Sequence, residues 1–89
     1  MENKNVINIL DKLISFKSVT PFDDNCQEFI ANYLKELGFD IQFKKYDDVT
    51  NLIARYGREK PVLAYVGHTD VVPTGDVNKW DTDPFKLTD

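Results

Sequence analysis

The feature that most constrains this chain is Val62-Leu63-Ala64-Tyr65-Val66, five apolar residues without a polar interruption. A half-buried strand alternates apolar with polar residues, because successive side chains point to opposite faces. An unbroken run just after Pro61 therefore reads as a strand covered on both faces, as inside a layered α/β sheet. Such a strand needs one layer above it and another below.

One layer is visible upstream. Val6, Ile7, Leu10, Leu13 and Ile14 recur at helical spacings and predict a helix from about Lys4 to Phe16. Ser18-Val19-Thr20-Pro21 ends it, since the residue before proline is pushed away from helical angles. Asp23 or Asp24 can accept from the free N–H groups that open a second helix. Cys26, Phe29, Ile30, Tyr33, Leu34 and Leu37 form that helix's apolar face, and Gly38 suits a left-handed closing residue. The period then changes. Ile41 and Phe43 alternate with Gln42 and Lys44, Asp47-Asp48 marks a turn, and Leu52, Ala54 and Tyr56 alternate in a second strand. The pattern predicts an α/β fold with both helices packed on one face of a mixed sheet. The other face has no partner in these 89 residues, so the domain is expected to be incomplete.

Composition excludes several function classes. A formal net charge of −4 leaves no basic surface for nucleic acid. The single cysteine, Cys26, cannot form an internal disulfide, which fits a reducing compartment. No apolar run approaches the roughly 20 residues of a membrane span. Met1-Glu2-Asn3-Lys4-Asn5 leads into a helix pattern with no signal-peptide core. A cytoplasmic location is the expectation, without membrane or nucleic-acid partners.

The chemistry-bearing residues follow the apolar run directly. In Gly67-His68-Thr69-Asp70, side chains two apart in extended chain point the same way, so His68 and Asp70 can face one site. The end of a sheet strand is where open α/β sheets place ligands. Neutral imidazole is a good zinc ligand, and a carboxylate on its other ring nitrogen fixes the tautomer. On spacing alone, the pair is either a hydrogen-bonded surface pair or half of a metal site. A zinc site takes about four ligands, and Cys26 falls on an apolar helix face. The local residues do not close a site.

Gly67-His68-Thr69-Asp70-Val71-Val72-Pro73-Thr74-Gly75-Asp76, then Trp80, then Asp83-Pro84-Phe85 resembles the first signature of the co-catalytic zinc amidohydrolase and peptidase family. Desuccinylases, acetylornithine deacetylases and aminoacylases belong to that family. Ser18-Val19-Thr20-Pro21, Asp23, Cys26-Gln27, Gly38-Phe39 and Asn51-Leu52 look like its succinyl-diaminopimelate desuccinylase branch in particular. Asn25 departs from that branch, which usually has glycine there. The resemblance implies that residues 1–89 are the N-terminal segment of a catalytic metallohydrolase domain. It also implies that His68 is a ligand to one of two zinc ions, for which cobalt can substitute, and that Asp70 is the catalytic carboxylate orienting it. The bridging aspartate, the general-base glutamate and the remaining ligands are expected beyond Asp89, as is a lid domain that makes homodimers. The implied substrate is a small N-acyl amino acid. The implied reaction is hydrolysis of N-succinyl-LL-2,6-diaminopimelate to succinate and LL-2,6-diaminopimelate, with an acetylornithine deacetylase or related amidohydrolase as the alternative. A different class of reading makes the 89 residues alone a non-catalytic fragment or remnant.

Other residues have plainer readings. Trp80 with Asp83-Pro84-Phe85 suits a packing anchor. Ser18 and Thr20 fit helix-stop chemistry better than nucleophilic chemistry. Lys44-Lys45 suits a solvated strand edge.

Overall fold

The computed structural model describes residues 3–89; the reading of Met1-Glu2 lies outside them. The elements run α1 (Asn3–Ser15), α2 (Cys26–Glu36), β1 (Asp40–Tyr46), β2 (Val49–Arg55) and a short 3-10 turn (Val77–Lys79). This is an α/β arrangement, and the boundary of α1 falls one residue from the periodicity estimate.

Helix α2 opens as its sequence dictates. Asp23 Oδ2 accepts from the Gln27 N–H at 3.0 Å, so Asp23 covers a free donor of the first turn. Asp24 turns the other way and accepts from the Lys17 N–H at 2.6 Å. Asn25, the N-cap residue, has φ 65° and ψ 13°, in the left-handed region. That explains why glycine suits this position in the family pattern, and why asparagine is the tolerable substitute.

Gly38 closes α2 at φ +97°, where a Cβ would also sit 3.4 Å from the Tyr56 ring. Tyr56 stacks in a tilted geometry on Phe39, ring centroids 5.3 Å apart, so the helix exit is tied to the end of the hairpin. Gly38→Ala is expected to cost about 1–2 kcal/mol, the left-handed penalty of an L-residue. A denaturant midpoint lowered at unchanged slope checks it.

Strands β1 and β2 form an antiparallel pair through the Asp47-Asp48 turn, with Ile41 opposite Ala54 and Phe43 opposite Leu52. Asp47 takes φ 55°, as a tight hairpin requires. Thr50, Leu52 and Ala54 are half-buried while their neighbours are exposed, so the predicted alternation is present. Helix α2 packs on both strands, with Cys26 and Ala31 the buried apolar residues.

Two expectations are corrected. First, the sheet is a two-stranded antiparallel pair, not a mixed sheet. Val62, Leu63, Tyr65 and Val66 lie in irregular chain without a ladder, at 67, 78, 90 and 97% exposure. The apolar run has the composition of an inner strand, but the described residues give it no strand neighbour and no covering layer. Without those partners, burial and pairing have nothing to act on. Second, only α2 packs on the hairpin. The stripe of α1 stays exposed at Val6, Ile7 and Leu10, while Ile9, Leu13 and Ile14 are half-buried and Phe16, just past the helix, meets Phe29 at 5.9 Å between centroids. The radius of gyration, 15.3 Å, exceeds the roughly 12 Å of a compact chain of this length. No helix among the described residues is long and apolar enough to cross a membrane.

Candidate functional site

The segment carrying His68 and Asp70 is held in place by the loop that follows α1. Val19 and Val71 form a parallel bridge. The Val71 N–H donates to the Ser18 carbonyl at 3.0 Å, and the Thr20 N–H donates to the Val71 carbonyl at 3.1 Å. The Ser18 hydroxyl, 3% exposed, donates to the Thr69 carbonyl at 2.8 Å. Residues some fifty positions apart in the chain are thus locked side by side.

On this frame His68 and Asp70 come together as their spacing predicts. His68 Nδ1 lies 2.8 Å from Asp70 Oδ1 and 3.1 Å from the Asp70 carbonyl. Both neighbours are acceptors, so in the neutral imidazole Nδ1 carries the proton and the lone pair sits on Nε2. Nε2 makes no hydrogen bond among the described residues, and the His68 side chain is 82% exposed. The other Asp70 oxygen, Oδ2, accepts from the Thr20 hydroxyl at 2.5 Å. These hydrogen bonds, Thr20 first and His68 second, hold the Asp70 carboxyl below its ordinary range. The contact therefore survives acidification until pH falls through that lowered value, and is lost below it.

An imidazole with Nδ1–H on a carboxylate and a free Nε2 is the donor arrangement of a protein zinc ligand. The residues present fit one ligand and its orienting carboxylate. Among the described residues no three His, Cys, Asp or Glu side chains gather as a metal-binding cluster. Cys26 is buried, and burial, with Asp23 nearby, pushes its thiol up, away from the thiolate a metal needs.

His68 borders two hollows, and Asp70 lines the first of them. A cleft of about 640 Å³ lies between the motif and the α2–hairpin unit, with Gln27, Lys45 and Asn51 on its far wall. Lys45, read from sequence as a solvated edge residue, lines that cleft. An apolar hollow of about 400 Å³ lies behind, between Leu13, Phe16, Val72, Trp80 and Phe85. Trp80, read as a packing anchor, lines this hollow and is tethered by its ring N–H, which donates to the Thr74 carbonyl at 3.0 Å, though it stays 47% exposed. Asp76 caps the 3-10 turn by accepting from Asn78 N–H at 3.0 Å, and Asp83 accepts from Phe85 N–H at 2.9 Å. The acidic residues of the signature are thus turn-formers, with Asp70 the one aimed at the histidine.

Ser18 and Thr20 are the site residues that periodicity did not find. Helix-stop chemistry accounts for their position but not for their partners, which lie across the fold. No local signal marks a hydroxyl that will meet a residue fifty positions away.

No family model matches the chain. Individual relatives do. The chain is 45% identical over 86 residues, 97% of its length, to succinyl-diaminopimelate desuccinylase of Shewanella pealeana, covering 23% of that protein. It is 49% identical over 82 residues, 92% of its length, to the protein of that name from Legionella pneumophila, covering 22% of it. It is 53% identical over 79 residues to that of Hydrogenovibrio crunogenus, spanning 89% of this chain and 21% of the relative. Along about nine-tenths of its length this chain is similar to proteins named succinyl-diaminopimelate desuccinylase. It spans little more than a fifth of the length of the desuccinylases it matches, and across that span the similarity is nearly continuous. The desuccinylase resemblance read from the signature and its upstream residues is borne out.

Proposed function

We propose that the complete polypeptide to which this segment corresponds hydrolyses N-succinyl-LL-2,6-diaminopimelate to succinate and LL-2,6-diaminopimelate. The observation that carries the reading is the His68–Asp70 contact at 2.8 Å, set in a stretch that matches desuccinylases along nearly its whole length. His68 Nε2 would hold one of two zinc ions, for which cobalt can substitute; the other ligands come from outside these residues. Metal bound there supplies a Lewis acid for the scissile amide carbonyl and for the attacking water. Asp70 keeps the proton on His68 Nδ1, and so keeps Nε2 available and the ring fixed. By itself the 89-residue chain is expected to be inactive and to bind zinc weakly, since one histidine and one carboxylate do not complete a site.

The same reading includes a cytoplasmic location, a homodimer in the complete protein, and a role in diaminopimelate and lysine biosynthesis, with neither nucleic acid nor membrane as partner. Steady-state assays of the complete polypeptide with N-succinyl-LL-2,6-diaminopimelate and with N-acetylornithine test the assignment. Turnover of the first in preference to the second is the expected result. Turnover of the second alone would reassign the substrate, and turnover of neither would sink the reading.

A further inference from the structure

We infer that Thr20 is a positioning residue for Asp70: its hydroxyl fixes the carboxylate oxygen that does not face His68, and so sets the orientation of the imidazole. The inference rests on the reading of His68 and Asp70 as the working pair of the site.

An aspartate on an exposed segment turns freely about its terminal torsion, which is broad and roughly two-fold. One hydrogen bond from His68 leaves that rotation loosely held. Here each oxygen has its own partner, His68 Nδ1 on Oδ1 at 2.8 Å and Thr20 Oγ1 on Oδ2 at 2.5 Å. The carboxylate is gripped from both ends. Short hydrogen bonds to an ionised acceptor are the stronger kind.

The division of labour within the loop is explicit. Ser18 and the Val19–Val71 bridge hold the main chain of the motif, through Ser18 Oγ to the Thr69 carbonyl at 2.8 Å and the paired main-chain bonds. Thr20 contributes a main-chain donor to that ladder at 3.1 Å and a hydroxyl whose short contact is the carboxylate at 2.5 Å, with only a long approach of 3.4 Å to the Val71 carbonyl. A change confined to its hydroxyl leaves the ladder in place. Thr20→Val makes that change, because valine keeps the β-branched shape and removes the donor. Thr20→Ser keeps the donor and removes the methyl group.

The deciding experiment uses the complete polypeptide after chelation of metal, with histidine ring nitrogens labelled and read by NMR above the imidazole titration range. The His68 signals are identified by their loss in His68→Gln. Wild type and Thr20→Ser are expected to show the Nδ1–H tautomer, and Thr20→Val a mixture with Nε2–H, while the Val71 amide stays unmoved. In the metal-loaded protein, Thr20→Val is expected to lower kcat about 10-fold to 100-fold with KM little changed, the usual scale for a partner that orients a metal ligand. Thr20→Ser is expected to restore most of it. A wild-type tautomer in Thr20→Val would overturn the inference, as would a Thr20→Ser variant no better than valine. The tautomer readout needs no substrate. A protein inactive on N-succinyl-LL-2,6-diaminopimelate but showing the tautomer change would fail the functional reading while upholding the role of Thr20.

Discussion

Replacing His68 by alanine in the complete polypeptide is expected to remove metal and turnover together. Loss of an outer partner to a metal ligand already costs 10-fold to 100-fold in affinity or activity. Loss of the ligand itself should therefore lower turnover by at least about 100-fold, with metal content per subunit falling in step. Asp70→Ala separates the two quantities. His68 would keep Nε2 and the main-chain carbonyl 3.1 Å from Nδ1 but lose the carboxylate at 2.8 Å, so the ring and its tautomer are held less firmly. Much of the metal should remain while kcat falls, because ring orientation matters more to the reaction than to occupancy. Metal analysis beside steady-state kinetics on the three proteins decides the matter. Wild-type rates in both variants would remove His68 and Asp70 from the site.

What was legible beforehand is what local physics governs. The capping role of Asp23, the left-handed Gly38 and the Asp47-Asp48 turn each depend on a few neighbouring residues, and each stands in the structure. The hairpin register follows from the alternation of Ile41 and Phe43 with Leu52 and Ala54. His68 and Asp70 were legible for the same reason, since two residues apart in extended chain is a local relation. Thr20 was not. Its reading as a helix-stop residue is correct about the backbone and blind to the carboxylate it meets from across the fold. Packing of α1 was misjudged for a related reason: an apolar stripe says that a face wants cover, not which element supplies it. Of that stripe, only the end at Leu13 and Ile14 gains cover, beside Trp80 and Phe85. The zinc ions, by contrast, entered through the resemblance, because one imidazole and one carboxylate cannot specify a metal.

The apolar run gives the last and largest expected contrast, because one substitution should behave oppositely in two contexts. In the 89-residue chain Leu63 is 78% exposed, so Leu63→Asp should change its stability by no more than about 0.5 kcal/mol, as other surface changes do. It should also reduce self-association, since an exposed unpaired apolar strand is a template for pairing with other copies. In the complete polypeptide the run is expected to be an inner strand. Aspartate there forfeits about 1.5–3 kcal/mol of leucine burial and adds the cost of an unpaired buried charge. A loss above about 3 kcal/mol is a large share of a typical domain's 5–15 kcal/mol, so little soluble protein should accumulate. Sedimentation of the short chain and thermal unfolding of the long one are the paired measurements. Equal tolerance in both contexts would mean that the run stays on the surface even when the remaining four-fifths of a desuccinylase-length chain is present. The five apolar residues would then need a partner other than their own domain.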